Sequence, residues 1–206
     1  MRKAILIALD GPNASGKSTI IKQVCQLLLN DGISVLIEKE PTDTPLGIFC
    51  RNNANNMVGK SLAYIVAADR LEHSKRLSNI LGDYDVILLD RYYFSSFIFQ
   101  CIDGLSKEEV FRINEGIVMP DIQIVLRASQ KLLLERLATR EKGDRFESMI
   151  LNKEVQFTEE AIHFFTQKHK NVPLVIIDSS SSLSDSLYYE NSISTHKIIK
   201  ENLKRV

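Results

Sequence analysis

Gly11-Pro12-Asn13-Ala14-Ser15-Gly16-Lys17-Ser18, with the apolar run Ala4-Ile5-Leu6-Ile7-Ala8-Leu9 before it and helical periodicity from Lys17 to Asn30 after it, decides the fold. The order is strand, G-x-x-x-x-G-K-S, helix, which is the setting a phosphate-binding P-loop requires. Its glycines let the backbone bend so that successive N–H groups converge on a phosphate. The helix beginning near Lys17 adds its positive end. Lys17 is expected to bridge the β- and γ-phosphates of a bound nucleotide, and Ser18 to bind Mg²⁺. Gly11, Pro12, Asn13, Ala14, Ser15, Gly16 and Thr19 complete the expected phosphate contacts.

Further apolar runs follow at Ile33–Ile37, Val86–Leu89, Ile122–Leu126 and Val172–Ile177. Several are solidly apolar, as strands covered on both faces of a parallel sheet should be. Helical stretches separate them. Lys17–Asn30 stops at Asp31-Gly32, Leu62–Leu81 ends at Gly82, and Lys107–Met119 opens after Ser106 with Glu108 and Glu109; Gly after a helix and acids at its entry are the usual signals. Ser129–Thr139, Lys153–Lys168 and a last helix near Ser194–Lys204 are also expected. This β-α-β order predicts an α/β fold with right-handed crossovers. Thr42–Lys60, rich in Asn, Thr and Gly, and the Ser-rich Ser179–Ser186 read as mobile loops.

The 206 residues suit one domain, and no boundary or repeat interrupts them. The 26 basic residues cancel the 26 acidic ones, so bulk charge gives no reason to expect a nucleic-acid or membrane partner. No run approaches the ~20 apolar residues of a membrane span, and the N-terminal run leads into Asp10-Gly11 without a cleavage site. Cys25, Cys50 and Cys101 show neither disulfide nor zinc spacing. A soluble, cytoplasmic protein with free thiols is expected.

Asp90 closes the third apolar run, and an acid at a strand's C-terminal end faces the ligand crevice of a parallel sheet. It is a candidate to orient Mg²⁺, alone or through water. A P-loop leaves three classes open: a small-molecule kinase, a GTPase-type switch and a nucleic-acid ATPase. No N-K-x-D-like guanine reader and no basic surplus support the last two. Phosphoryl transfer needs positioning and charge neutralisation, and Arg136-Leu137-Ala138-Thr139-Arg140-Glu141-Lys142-Gly143-Asp144-Arg145 supplies clustered cations around a glycine. It reads as a lid over ATP. Arg140 and Arg145 are the candidate phosphate contacts, because guanidinium matches phosphate geometry.

Beyond the P-loop, Glu40-Pro41-Thr42-Asp43-Thr44-Pro45-Leu46-Gly47, Ala67-Ala68-Asp69-Arg70, Asp90-Arg91-Tyr92 with Ser95 and Gln100, Pro120-Asp121 and Asp144-Arg145-Phe146-Glu147 together resemble the motifs of the thymidylate kinases, in order, from Ala4 to about Phe157. The resemblance implies a three-layer α/β/α P-loop kinase fold with a five-stranded parallel sheet and a mobile lid. It implies one domain over 1–206, with an acceptor side at about 40–70, a lid at about 136–150 and a Ser-rich loop at about 179–192. It implies transfer of the γ-phosphoryl of ATP to thymidine monophosphate, with Mg²⁺, small-molecule partners and a homodimer. Lys17, Asp90, Arg91, Arg140 and Arg145 would be catalytic, and Ser18 and Asp90 metal ligands. Arg91 would grip the acceptor phosphate, Arg51 would hold the acceptor loop, Arg70 would bond the base edge, Phe99 would crowd the sugar 2′ position and Ser96 would approach the base. Glu40, Val66 and Gln100 would line the same pocket.

Three positions depart from the family pattern: Asn13 where it has an acid, Val66 where it has Phe, and Lys39 where it has Arg before Glu-Pro. Asn13 and Val66 keep open a kinase of the same fold that acts on another nucleotide or nucleoside. A P-loop protein without turnover is the third reading. His73 is expected at the surface or partly buried, and Glu40 to pair with Arg91 or Arg70.

Overall fold

The computed structural model describes residues 3–54, 56–138, 145–179 and 185–203, with side chains omitted for 145–150 and 185–188. Five strands, β1 (Ile5–Asp10), β2 (Val35–Lys39), β3 (Val86–Asp90), β4 (Ile122–Arg127) and β5 (Leu174–Asp178), form one parallel sheet in the order β2-β3-β1-β4-β5. The helices between them are α1 (Lys17–Asn30), α2 (Pro45–Asn53), α3 (Lys60–Ile80), α4 (Tyr93–Ile102), α5 (Lys107–Ile113), α6 (Gln130–Ala138), α7 (Arg145–Lys168) and α8 (Asp185–Leu203).

The period of two along a strand divides β1 cleanly. Ile5, Ile7 and Leu9 pack with Ile20, Ile21, Val24 and Leu28 of α1 and with Ile199 of α8. Leu6 and Ala8 face the other way, onto a cluster that includes Ala63 and Leu77 of α3, Phe94 and Phe97 of α4, and Phe165 of α7. Helices therefore cover both faces, giving the expected three layers. All six residues of β1 are buried, whereas the edge strands β2 and β5 are only partly covered, with Ile37 and Ile176 exposed.

The register aligns Leu9 and Lys39 with Asp90. The C-terminal ends of β1, β2 and β3 thus meet at one rim, where the chain leaves β1 for one side of the sheet and later crosses to β4 on the other. That is the topological switch point at which such sheets bind ligands.

Several boundaries differ from expectation. The stretch read as a loop at Thr42–Lys60 contains α2: Thr44 is its N-cap, accepting from the Gly47 N–H at 3.3 Å, and Pro45 fills the first helical position, where its missing N–H does no harm. α5 stops at Ile113 instead of reaching Met119, since Asn114 caps it and Gly116 turns the chain at φ 87°. Its start is a capping box between Ser106 and Glu109. α8 begins at Asp185, so residues 185–192 of the segment assigned to a Ser-rich loop are helical; residues 180–184 lie outside the described residues.

Candidate functional site: a phosphate loop and an arginine in one cleft

Backbone geometry builds the loop first. Gly11 has φ 141° and Gly16 φ 95°, and Ala14 takes the left-handed region at φ 59°. Gly11 is needed for a second reason: a Cβ there would lie 2.5 Å from the Leu126 carbonyl oxygen of β4. Lys17 is 6% exposed and its ammonium donates to the carbonyls of Gly11 (3.1 Å) and Pro12 (2.7 Å) and to Ser15 Oγ (3.2 Å). Burial, and then the positive charge of Arg91, push its pKa well below the ordinary lysine value. An incoming anion opposes both effects, because it favours the charged form. Ser18 Oγ donates to Asp90 Oδ2 at 2.7 Å, so hydroxyl and carboxylate share one corner.

Asp10, at the end of β1 and fully buried, organises the other wall. It accepts from the backbone N–H groups of Tyr92 and Ser95, both at 3.1 Å, from Ser95 Oγ at 2.5 Å and from Gln123 Nε2 at 2.9 Å. α4 has no side-chain cap of its own, so Asp10 serves its orphan donors and fixes the chain just after Arg91. Arg91 itself has φ 67°, an uncommon conformation for a residue with a side chain. Its guanidinium donates to Asn13 Oδ1 (2.6 Å), Gly11 O (3.3 Å) and Ser95 Oγ (3.3 Å) and lies 4.9 Å from the centre of the Phe99 ring. The cleft between loop and arginine encloses about 280 Å³ and is bordered by Lys17, Ser18, Lys39, Glu40, Asp90 and Arg91.

Behind Glu40 runs a buried polar network. Arg70, 2% exposed, donates through Nε to Glu40 (2.7 Å), through Nη1 to Ser96 Oγ (2.8 Å) and Asn114 Oδ1 (2.6 Å), and through Nη2 to the Tyr92 carbonyl (3.4 Å). Glu40 also pairs with His73 Nδ1 at 2.9 Å. Asp69 accepts from Thr42 N–H (2.8 Å), Thr42 Oγ1 (2.6 Å) and Thr44 Oγ1 (3.1 Å), which ties the segment after Glu40 to α3. Arg51 closes that segment through the carbonyls of Pro41 and Thr42 and the Asp43 carboxylate.

A family model described as Thymidylate kinase matches residues 9–187. The chain belongs to the thymidylate kinase family. The thymidylate kinase of Caldicellulosiruptor saccharolyticus is 34% identical over 155 residues, which cover 71% of this chain and 75% of the relative. The probable thymidylate kinase of Pyrococcus horikoshii is 29% identical over 194 residues, covering 89% and 92%. Among solved structures, a thymidylate kinase from Candida albicans overlays with a TM-score of 0.71 at 22% identity, covering 97% of this chain and 92% of that one. That last likeness concerns the fold.

The family's motif positions separate into three groups. Gly11 through Ser18, with Asp90, Arg91, Glu40, Phe99 and Ser96, are drawn together around the cleft and the network behind it. Arg51 and Val66 stand back from it: Arg51 binds its own loop, and Val66 is half-buried on α3. Gln100 is buried, with Oε1 unbonded among the described residues. Thr19, exposed on the first turn of α1, also borders the cleft. Arg140 lies outside the described residues, as does the side chain of Arg145, whose backbone opens α7.

Of the two partners expected for Glu40 the structure selects Arg70, while Arg91 turns to Asn13 and Gly11. One expectation needs correction. His73 is 1% exposed, not a surface residue, because it faces Glu40 and, at 3.5 Å, Glu38. Two contributors escaped the sequence reading, and a third was assigned elsewhere. Arg136, read as the start of the lid, is buried at the end of α6 and donates to the Ala14 and Ser179 carbonyls at 3.2 and 3.3 Å. Asn114 was read as helix interior. Glu154 of α7 binds Asn13 from 141 residues away. Neither Asn114 nor Glu154 belongs to a motif, and no local spacing marks them.

Proposed function

We propose that this protein transfers the γ-phosphoryl group of ATP to thymidine monophosphate. The observation that carries the reading is the common cleft: a P-loop cradle for the donor phosphates and the Arg91 guanidinium, which bonds the loop at Gly11 and Asn13, border one cavity. Guanidinium is suited to a phosphate that must be held in a set orientation. An acceptor oxygen positioned there attacks the γ-phosphorus in line, with no covalent enzyme intermediate. Lys17 and the loop N–H groups take the donor phosphates, and Arg140 and Arg145 neutralise the migrating group. Arg70, Ser96, Phe99, Gln100 and Val66 form the nucleoside side of the pocket, with Glu40 orienting Arg70 and Arg51 holding the acceptor loop.

The Ser18–Asp90 corner suits Mg²⁺, which takes oxygen ligands, keeps several waters and binds one or two carboxylates together with substrate phosphates. No cluster of three or more His, Cys, Asp or Glu side chains stands among the described residues, and Mg²⁺ held mainly by phosphate and water needs none. When bound, the ion would offset charge on the transferring phosphate.

We read residues 1–206 as a single kinase domain and the working form as a homodimer. Support for the dimer comes from exposed Ile48, Phe49, Val58 and Tyr64 on and between α2 and α3, an apolar surface of the kind that marks interfaces. We place the protein in the cytoplasm. Free Cys25, Cys50 and Cys101 agree with a reducing compartment, and no described helix is long and apolar enough to cross a membrane.

A coupled ADP-release assay over a panel of nucleosides and monophosphates tests the function. Turnover with thymidine monophosphate well above the rest is expected, and Lys17→Ala should abolish it. Preference for another acceptor would refute the substrate, and ATP binding without any turnover would refute the enzyme. Sedimentation tests the dimer.

A further inference from the structure

We propose that Glu154 is a positioning residue whose buried carboxylate holds Asn13 in one orientation and, through it, aims Arg91 across the cleft. The inference rests on the reading of that cleft as the donor–acceptor site.

Glu154 lies on α7 and is 1% exposed. A carboxylate in that setting is costly unless its oxygens are hydrogen-bonded. Both are bonded, and to the same residue. Oε2 accepts from the Asn13 backbone N–H at 2.6 Å, and Oε1 from the Asn13 side-chain amide at 2.7 Å. These lengths are those of charge-assisted bonds. Asn13 is exposed in the P-loop, so its side chain would otherwise be free to rotate.

The carboxylate removes that freedom. It accepts only, so it selects the amide's NH₂ end. The other end, Oδ1, must then point away, and it accepts from Arg91 Nη2 at 2.6 Å. A flipped amide would set oxygen against carboxylate and NH₂ against guanidinium, two mismatches at once. The polarity of the chain carboxylate–amide–guanidinium therefore has one solution. The bond to Asn13 is also the shortest that Arg91 makes, since Gly11 O and Ser95 Oγ both lie at 3.3 Å. Among the described residues the carboxylate of Glu154 hydrogen-bonds to one residue of the cleft's lining, Asn13, and acts through it.

A charge swap distinguishes positioning from mere support. Glu154→Gln places an NH₂ group against one of the two Asn13 donors. An unsatisfied buried donor of this kind should lower kcat/KM for thymidine monophosphate by about ten- to a hundredfold. KM for the acceptor should rise along with the fall in kcat; a smaller folded fraction would lower kcat alone. Asn13→Asp puts two carboxylates in contact and should lose activity as well. The double variant N13D/E154Q restores complementarity: the new amide at 154 accepts from the backbone N–H and donates to the new carboxylate at 13, whose second oxygen accepts from Arg91. It should recover at least about tenfold over the worse single variant, which corresponds to a regained bond of ordinary strength.

An unchanged acceptor KM in Glu154→Gln, a double variant no better than the worse single, or a double variant that fails to fold would each overturn the inference. ATP affinity by titration calorimetry should follow the same order, wild type and double variant above both singles. If the wild type turns over no thymidine monophosphate, the functional reading falls. The ATP affinities then decide the role of Glu154 alone, and equal values in all four proteins refute it.

Discussion

Replacing Arg70 by methionine should destabilise the protein severely, and removing its partner's charge as well should largely reverse the loss. Arg70 and Glu40 form an ion pair at 2.7 Å with side chains 2% and 4% exposed. Arg70→Met deletes the donors to Glu40, Ser96, Asn114 and the Tyr92 carbonyl and leaves the Glu40 carboxylate buried with His73 as its near partner. Breaking a buried pair by removing one member costs about 3–5 kcal/mol. For a chain of this size each kcal/mol lowers Tm by about 2–4 °C, so a fall of about 6–20 °C is expected. Glu40→Gln combined with Arg70→Met removes both charges, and such replacements are often close to neutral. The double variant should therefore recover more than half of the fall while remaining inactive toward thymidine monophosphate. Thermal unfolding followed by far-ultraviolet circular dichroism measures the first quantity, and the coupled assay the second. A single variant that melts within about 2 °C of wild type, or a double that melts as low as the single, would refute the reasoning that an uncompensated buried charge is what the pair prevents.

Three further outcomes follow, two from the site and its acceptor segment and one from the ion pair between α3 and α5. Gly47→Ala sets a Cβ 2.1 Å from the Thr42 carbonyl oxygen and 2.5 Å from its nitrogen; backbone must move, at a cost of about 1–3 kcal/mol or more, and Tm and acceptor KM should both worsen because Thr42 is pulled from Asp69. Asp90→Asn keeps a hydrogen-bond acceptor for Ser18 but loses the charge, so the Mg²⁺ concentration for half-maximal activity should rise at least about tenfold, with Tm little changed. The Lys60 ammonium, followed by the Ser106 N–H and hydroxyl, holds Glu109 down from 4.5 to about 2. Because the folded value is the depressed one, this stabilisation is present above the ordinary glutamate range and is lost as pH falls through the folded value; the Tm gap between wild type and Glu109→Gln should shrink on acidification from above 4.5 toward about 2.

The sheet was legible because its central strands are apolar on both faces, and α1 because it opens directly from the P-loop and stops at Asp31-Gly32. α2 was not. Its Asn, Thr and Gly content resembles a loop, and the helix depends on Asp69, distant in sequence, holding Thr42 and Thr44. α5 was read too long because Asn114 and Gly116 fall inside a stretch that keeps its apolar spacing. Within the site, Lys17, Ser18, Asp90 and Arg91 lie in motifs whose spacing reflects local backbone geometry. Glu154 and Arg136 reach the loop across 141 and 122 residues, and a single sequence carries no record of such a meeting. Asn13 shows the difference most plainly: read alone it is a missing acid, whereas in the fold its amide lies between a carboxylate and a guanidinium.

Arg136 limits how this protein can be recombined with its relatives. Its side chain bonds the Ala14 carbonyl of the P-loop and the Ser179 carbonyl just after β5, so the end of α6 belongs mechanically to the nucleotide cradle and not to the segment after it. A chimera that imports a foreign stretch over 139–144 should keep the host's Arg136 and make its junction downstream of Ala138. A junction placed within α6 would exchange one wall of the cradle along with the intended cargo.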